Sequence, residues 1–333
     1  MQIVANDQVE LGKWDVLLAN GLYASPFQTP DFYRFFNSVE GFCANVFAVE
    51  DAGNYASLVV VTKQKEKGVK SFFSRRGIIY GGPLIRKEHN NYIEELFKNL
   101  IEFYKKELIY LEIRNLFDYS FCKDSFYKSK WTYKAYLNVK LNLDGVKKEE
   151  LHSLFKYNRR REIKQSILNG ATYHLCKKEE EVFGVYQILH KLYRKNVKLP
   201  LPSYDFFLEF FKSNILKVFV VIHGEKIIGG SFCPVLPGKA IYTFYYCGQR
   251  DYNRQIFPTH LAILAALDFA VENNFPMVDF MGAGKPGVEY GVRQYKLGFG
   301  GELVEQGRFL KVLNPTLYFL GKIGLKVLSI ISR

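Results

Sequence analysis

The feature that most constrains the fold is an order of helices and strands that the chain uses twice. In the first half, residues 25–39 predict a helix opened by proline, with Asp31 in its first turn, where a carboxylate suits the helix dipole. Residues 45–51 and 56–64 have the composition of strands, and residues 75–85 predict a third strand that ends in glycine and proline. A helix over 90–108 and a buried strand over 109–116 complete the first copy.

The second half follows the same order. Helices are predicted over residues 152–171 and 179–196, and the first of them is stopped by Gly170. A hairpin and a further strand occupy residues 216–248. A helix over 258–274, opened by proline, then leads to a strand over 277–282.

Two copies of one plan predict two related α/β (α+β) domains, each with a mixed central sheet flanked by helices. The polar segment 141–150, with a turn at Asp144-Gly145, is the expected junction. We therefore expect one domain over residues 1–145, a second domain with the active site over 146–313, and a separate amphipathic helix over 314–333.

Composition supports two folded cores and a polyanionic neighbour. Hydrophobic residues make up 48% of the chain and aromatic residues 16%, which excludes a wholly disordered chain. The net charge of +13 suits RNA, phosphorylated small molecules or an anionic lipid surface. A basic surface that serves solubility alone is the other interpretation, since no single tail carries the charge.

The cysteines and histidines predict a reduced, cytoplasmic protein without a metal. Five cysteines are scattered without a CxxC pair, and none of the six histidines lies in an HExxH arrangement. The first residues lack the basic and apolar regions of a signal peptide. No metal and no resident cofactor are predicted.

The C-terminal segment 314–333 is apolar but carries Lys322, Lys326 and Arg333. Two lysines within the apolar stretch argue against a membrane-spanning helix. An amphipathic helix at the cytoplasmic face of a membrane and a helix docked on the protein core both remain open.

The common catalytic motifs are absent, and attention falls on the residues after the last predicted strand. There is no GxSxG elbow and no phosphate loop ending in Lys-Ser/Thr. The loop 282–287, GAGKPG, resembles a phosphate loop, but Pro286 and the lack of a helix directly behind it argue against that interpretation. A loop at the carboxyl end of a strand is, however, the usual place for a ligand in an α/β sheet.

The segment 288–305 that follows this loop carries the candidate site. Arg293 and Lys296 are three residues apart, with Tyr290 and Tyr295 beside them and three glycines directly after. Glycines let the backbone approach a ligand, and a cation can bind phosphate or stabilise an oxyanion. A glycine-rich turn with solvated charges is the alternative.

At YKLGFGGEL, residues 295–303, the chain resembles the "Phe-Lys … Gly-Phe-Gly-Gly" signature of the Fem family of peptidoglycan-bridge aminoacyltransferases. Segments that resemble the family occur in the expected order at residues 27–36, 157–171 and 277–284, and residues 76–85 resemble a strand of its first domain. Together these segments cover most of the chain.

The resemblance implies two GNAT-like (N-acyltransferase-type) folds in tandem. It implies transfer of an amino acid from aminoacyl-tRNA to the amine of a cell-wall precursor peptide, or of a similar acceptor. On this basis Lys296 is the catalytic residue that contacts the reacting centre, and Tyr295 stands where the family has Phe. A lysine there would stabilise the oxyanion of the tetrahedral intermediate.

Two departures from the family fall in the first domain. Phe32 replaces the usual Trp, and Phe36 replaces the lysine that binds the phosphates of the precursor. Arg34, Arg75 and Arg76 are the candidates that could bind phosphate instead, because guanidinium groups match phosphate well.

Three further sets of residues are candidates with competing interpretations. Arg159, Arg160 and Lys164 lie on a basic helix that could follow an RNA backbone or be a solvated face. Asp279 ends a buried strand and could orient groups in the cleft or be a structural acceptor. Tyr245 and Tyr246 are interpreted as core residues rather than as part of a substrate site.

Two other functions remain open. A coenzyme A-dependent N-acyltransferase would cradle pyrophosphate in an Arg/Gln-x-x-Gly-x-Gly/Ala turn, but after Arg250 the glycine positions hold Asn253 and Gln255. A binding or scaffold protein without activity could keep the double fold at a membrane surface.

Overall fold

The computed structural model describes residues 1–21, 23–65, 71–86 and 91–331, without the side chains of residues 71, 91 and 325–331. The chain forms two compact units. One comprises Met1–Tyr136 together with Glu305–Arg333, and the other comprises Leu137–Val304. Residues 332 and 333 of the expected C-terminal helix lie outside the described residues.

The first unit is built on one mixed sheet with the strand order β1-β2-β3-β4-β6-β16-β7, and β5 pairs with β3. Its strands are β1 (Gln2–Ala5), β2 (Cys43–Asp51), β3 (Asn54–Gln64), β4 (Arg76–Gly81), β5 (Leu84–Ile85), β6 (Tyr110–Asn115), β7 (Thr132–Lys134) and β16 (Arg308–Val312). Its helices are α1 (Leu11–Asn20), α2 (Pro30–Ser38), α3 (Ser71–Ser74), α4 (Asn91–Tyr104), α5 (Lys123–Lys128) and α12 (Pro315–Ile331).

The second unit has its own mixed sheet with the order β15-β8-β14-β12-β11-β10-β9, and β13 pairs with β11. Its strands are β8 (Leu137–Asn142), β9 (Ala171–Leu175), β10 (Leu216–His223), β11 (Lys226–Leu236), β12 (Ala240–Tyr242), β13 (Tyr245–Gly248), β14 (Met277–Gly282) and β15 (Glu302–Glu305). Its helices are α6 (Lys148–Leu151), α7 (Tyr157–Leu168), α8 (Glu179–Leu192), α9 (Tyr204–Lys212), α10 (Pro258–Glu272) and α11 (Gly291–Leu297).

The boundaries between the units follow Tyr136 and Val304, and not the expected residues 145 and 313. β8 pairs with β14 in the second sheet, whereas β16 pairs with β6 in the first sheet. Each of these strands satisfies its backbone hydrogen bonds in a sheet on the far side of the expected boundary. The turn at Asp144-Gly145 is present, but it follows β8 within the second unit.

The core of the second unit surrounds α10, which fixes the position of the candidate site. Nine residues of this helix are buried, and they are distributed around its circumference. Such a helix must be covered by the sheet and by other elements on most sides. Its first residues lie next to the end of β13, where the backbone of Gly248 approaches Pro258 and Thr259.

Phe32 and Phe36 are also core residues, in the first unit. Their side chains are 1% and 3% exposed, and their rings pack against one another at a centroid distance of 4.9 Å. The residues that replace the family's Trp and Lys therefore fill the interior.

Candidate active site

Two parallel strands of the second unit separate at their carboxyl ends. β12 pairs with β14 through Ile241–Val278 and Tyr242–Asp279, and the Thr243 amide donates to the Asp279 carbonyl at 3.0 Å. Among the described strands, β13, which continues from β12, pairs with β11. The carboxyl ends of parallel strands that separate are where α/β sheets usually bind ligands.

A cavity of about 960 Å³ lies beside this separation and is strongly aromatic. β13, the loop 249–257 and the starts of α10 and α11 line it. Its charged lining residues are Arg250, Asp251 and Arg254. The rings in its wall are Tyr193, Phe244, Tyr245, Tyr246, Tyr252, Phe257, His260, Tyr290 and Tyr295.

The turn that would cradle a pyrophosphate is closed by its own hydrogen bonds. The Gln255 amide donates to Asn253 Oδ1 at 2.8 Å, and the Ile256 amide donates to the Asn253 carbonyl. The Phe257 amide donates to Ser166 Oγ at 2.9 Å. Because an anion in such a turn is held by free amide N–H groups, these contacts leave it few donors.

Behind one wall of the cavity lies a cluster of Arg159, His260 and Tyr295, of which His260 and Tyr295 line the cavity. Arg159 Nη1 contacts His260 Nε2, and the guanidinium lies over the Tyr295 ring at 4.4 Å from its centroid. His260 Nδ1 is 3.3 Å from the Tyr295 hydroxyl. Glu162 Oε2 lies 2.9 Å from His260 Nε2. The cluster joins α7, α10 and α11.

Burial shifts the pKa of each of these groups. Burial, together with the Arg159 charge, lowers the pKa of His260 to about 3, so the imidazole is neutral at physiological pH. Burial raises the pKa of the Tyr295 phenol well above its ordinary value, so the phenol keeps its proton. Burial also lowers the pKa of Arg159 from its ordinary value, although arginine stays charged in proteins.

Lys296 is buried and holds the end of β14. Its Nζ donates to the carbonyl oxygens of Phe280 at 2.5 Å and Gly282 at 2.7 Å. Burial lowers its pKa to about 8, against the opposing effect of Asp279. The neighbouring Tyr295 lines the cavity, whereas Lys296 is not among the described residues that line it.

The other candidates on this segment fall into two groups. Tyr290 lines the cavity, as Tyr295 does. Arg293 instead donates to the carbonyls of Ala283 and Lys285 and thereby folds the loop after β14. Asp279 is fully buried, and its Oδ1 accepts from the Met281 amide at 2.6 Å.

The basic helix divides into a buried and an exposed part. Arg159 is 8% exposed and contacts aromatic rings, so it contributes little to the exposed face of this helix for which RNA binding was predicted. The reason is that its position on α7 faces α10 and α11. Arg160 and Lys164 are exposed on the same helix.

The arginines proposed to bind phosphate belong to the first unit. Arg34 is exposed and pairs with Asp31 at 2.6 Å. Arg75 lies over the Phe72 ring at 5.4 Å, and Arg76 begins β4. Among the described residues, no group of three or more His, Cys, Asp or Glu could hold a metal.

Sequence reasoning missed His260 and Tyr246. His260 stands alone in an apolar segment, and the only signal was its place in the first turn of a helix opened by proline. Tyr246 was assigned to the core, yet it lines the cavity and stacks on Tyr295 with ring planes at 13°.

Both units are sheets flanked by helices, and the molecule has the tandem GNAT-type fold. The fold class predicted from the sequence is therefore confirmed. By sequence, neither a protein-family model nor a curated protein matches the chain. The solved structures that resemble it include FemX, with a TM-score of 0.72 and 13% identity over 96% of this chain and 99% of that one.

Two further structures share this fold. A tandem GNAT protein from the clavulanic acid biosynthesis pathway has a TM-score of 0.62 at 11% identity, over 94% of this chain and 99% of that one. The C-terminal domain of a putative lysylphosphatidylglycerol synthetase from Agrobacterium fabrum has a TM-score of 0.60 at 12% identity, over 96% of each chain. These similarities confirm the Fem-like resemblance at the level of the fold.

The C-terminal helix presents apolar side chains to solvent. Phe319, Leu320 and Ile323 of α12 are 64%, 46% and 44% exposed, and their spacing places them on one face. The helix packs on α3, where Phe72 and Phe73 are also exposed. Within the described residues, no helix is long and apolar enough to cross a membrane.

Proposed function

We propose that the protein is an aminoacyltransferase that moves an amino acid from the 3′ end of an RNA to an amine. The amine nitrogen attacks the ester carbonyl and an oxyanion forms. The ribose oxygen then leaves and takes up the proton lost by the amine. The products are an amide and free RNA, so the reaction needs no redox partner.

The aromatic cavity of the second unit carries this proposal. An unpaired RNA end offers bases that stack on aromatic side chains, at about 1–3 kcal/mol per base. The rings around Tyr246 and Tyr295 supply such surfaces, and Arg250 and Arg254 supply charge for the phosphates. A cavity of about 960 Å³ is large enough for a terminal nucleotide with its amino acid.

The closed turn at Asn253 disfavours the alternative donor, acyl-coenzyme A. Its pyrophosphate would need amide donors that Asn253 and Ser166 already engage. Side chains at the two glycine positions add bulk where the anion would approach the backbone. Coenzyme A therefore remains the second candidate donor.

Lys296 remains the proposed catalytic cation. An ammonium carries three protons, and two of them serve the carbonyls of Phe280 and Gly282. The third is available to a substrate oxygen if the end of β14 adjusts on binding. Tyr290 would contact the donor, whereas Asp279 and Arg293 would hold the strand and loop around it.

We propose a cell-wall precursor peptide, or a similar amine, as the acceptor, because the Fem resemblance implies one. Arg34, Arg75 and Arg76 are the cations of the first unit assigned to its phosphates. At the position where the family has a phosphate-binding lysine, this chain has Phe36, which is buried.

An acceptor of this kind suits a cytoplasmic protein that meets the membrane surface. The exposed apolar face of α12 would rest on the lipid, with Lys322 beside it. No Asp or Glu follows Glu305 in the sequence, so this end of the chain carries only positive side-chain charge. The same surface would serve a scaffold protein without activity.

The test is a transfer assay with labelled aminoacyl-tRNA. Total tRNA charged with a mixture of labelled amino acids is incubated with the protein and a set of amine acceptors that includes precursor peptides. We expect label to move from RNA to amine, and Lys296→Met to slow the transfer at least tenfold. Transfer from acetyl-coenzyme A alone would assign the chain to the second donor, and no transfer from either would favour the scaffold.

A further inference from the structure

Arg159, His260 and Tyr295 form a chain of polar contacts that ends in the cavity. Arg159 Nη1 contacts His260 Nε2, and His260 Nδ1 lies 3.3 Å from the Tyr295 hydroxyl. Arg159 Nη2 also donates to the Tyr295 carbonyl at 3.3 Å, which ties the guanidinium to the same turn of α11. Both His260 and Tyr295 line the cavity.

The contact with Arg159 favours one direction for the hydrogen bonds of His260. A guanidinium can only donate, so the imidazole nitrogen that it faces, Nε2, must accept. A neutral imidazole then carries its proton on Nδ1 and donates it to the Tyr295 oxygen. Glu162 Oε2, 2.9 Å from Nε2, would favour the opposite tautomer, but the buried guanidinium of Arg159 lies against the same nitrogen.

In this arrangement the hydroxyl hydrogen of Tyr295 is directed to a further acceptor. A phenol whose oxygen already accepts a hydrogen bond is a stronger donor, because the chain is polarised from the Arg159 cation. The ring is held by Tyr246, whose plane is inclined by 13° at a centroid distance of 6.0 Å. The hydroxyl is therefore held in a fixed place on the cavity wall.

We infer that Tyr295 is a catalytic hydrogen-bond donor whose hydroxyl binds the carbonyl oxygen of the acyl donor, with His260 and Arg159 as positioning residues. The role rests on the proposed acyl transfer. As the amine nitrogen bonds to the carbonyl carbon, charge collects on the carbonyl oxygen and the hydroxyl stabilises it. The phenol keeps its proton, and the oxyanion collapses as the ribose oxygen leaves.

The tautomer of His260 tests the chain without any activity. Nitrogen-15 NMR of the histidine side chains, with His260→Gln to assign the signal, reports which ring nitrogen carries hydrogen. We expect Nδ1–H at pH 7 in the wild type. A proton on Nε2 of His260, with or without a second one on Nδ1, would overturn the inference.

The role of the hydroxyl is tested by Tyr295→Phe, which removes one oxygen and keeps the ring. We expect kcat to fall about 100-fold, as for the loss of one oxyanion donor, with KM changed less than about threefold. Tyr204→Phe, in the same unit and outside the cavity lining, is the matched control and should keep the wild-type rate. Equal rates for wild type and Tyr295→Phe would contradict the role.

A stable probe separates this inference from the proposed function. The probe is 3′-(aminoacyl)amino-3′-deoxyadenosine, an amide analogue of the charged RNA end, and binding is measured by calorimetry. We expect Tyr295→Phe to bind it about two- to threefold more weakly than the wild type, in keeping with the small change expected in KM. If the wild type transfers nothing, the proposed function fails and this comparison decides alone. Equal binding by both proteins, or by neither, would overturn the role of the hydroxyl.

Discussion

The ammonium of Lys296 lies 2.5 Å from the carbonyl oxygen of Phe280, so a buried positive charge donates a hydrogen bond to the backbone near the end of β14. A lysine in this position fixes the strand end from which the loop 283–290 departs. It also carries an energetic cost, because burial lowers its pKa to about 8. The side chain proposed to act in catalysis thus also holds the end of this strand.

The cost of burying Lys296 predicts a dependence of stability on pH. The pKa is about 8 in the folded protein and about 10.5 in the unfolded chain, so the unfolded chain binds the extra proton between these values. The free energy of unfolding of the wild type, relative to Lys296→Met, should therefore rise by about 3 kcal/mol from pH 8 to pH 10.5. Urea denaturation of both proteins at several pH values measures it. A constant difference would mean that Lys296 is solvated.

The lowered pKa of His260 predicts the corresponding effect in acid. Its folded value of about 3 lies below the ordinary 6.5, so its contribution to stability is complete above pH 6.5 and is lost as the pH falls towards 3. The groups that face it are Arg159, Glu162 and Tyr295. Between pH 6.5 and 4.5 the wild type should lose about 2–3 kcal/mol relative to His260→Gln. Parallel curves for the two proteins would refute the assignment.

The closed turn at Asn253 predicts that acetyl-coenzyme A does not stabilise the protein. A ligand at a hundred times its dissociation constant adds roughly 2.7 kcal/mol, which raises the melting temperature by several degrees. We expect a shift below about 1 °C with acetyl-coenzyme A and a clear rise with the adenosine amide described above. Differential scanning fluorimetry measures both. A rise of several degrees with acetyl-coenzyme A would transfer the proposal to coenzyme A chemistry.

If the exposed cations of α7 contact RNA phosphates, their removal should weaken the salt dependence of RNA binding. Each phosphate contact contributes about 0.7 to 0.9 to the slope of log K against log salt. The double variant Arg160→Ala/Lys164→Ala should reduce the magnitude of the slope for tRNA by about 1.4 to 1.8. Lys239→Ala, in an exposed turn of the same unit, should leave it unchanged. Filter binding at several salt concentrations provides the slopes, and identical slopes would exclude this face of α7 from the RNA site.

The apolar face of α12 predicts binding to anionic vesicles. The double variant Phe319→Asp/Ile323→Asp should reduce co-flotation with phosphatidylglycerol-containing vesicles at least tenfold, because it places charge on the face assigned to lipid. Leu168→Asp, at a site that is 75% exposed on α7, is the matched control. Wild-type flotation with both variants would place the lipid contact elsewhere or exclude it.

The repeated order of elements in the sequence predicted two related α/β domains, because hydrophobic periodicity and glycine or proline breaks are local signals, and the Fem resemblance added the GNAT-like form of each. The exchange of strands between the sheets was not predictable in this way. No strand was predicted at β8 or β16, and only the three-dimensional sheets decide the partners of such short strands.

The candidate site was predicted in part for the same reason. The segment around Tyr295 and Lys296 is one continuous motif, so the sequence pointed to it directly. His260 and Arg159 reach that segment from two other helices, separated by a hundred residues along the chain. Which of two adjacent residues faces the cavity depended on the placement of α11, and that favoured Tyr295.

The position of β16 within the first sheet has a consequence for synthesis on the ribosome. β7 joins the sheet through β16, which pairs with β6 on its other side. When residues 1–136 have left the ribosomal exit tunnel, the strand that must lie between β6 and β7 has not yet been translated. The N-terminal unit therefore keeps an open sheet edge at β6 until the second unit has been made, and an unpaired edge of this kind exposes a nascent chain to aggregation.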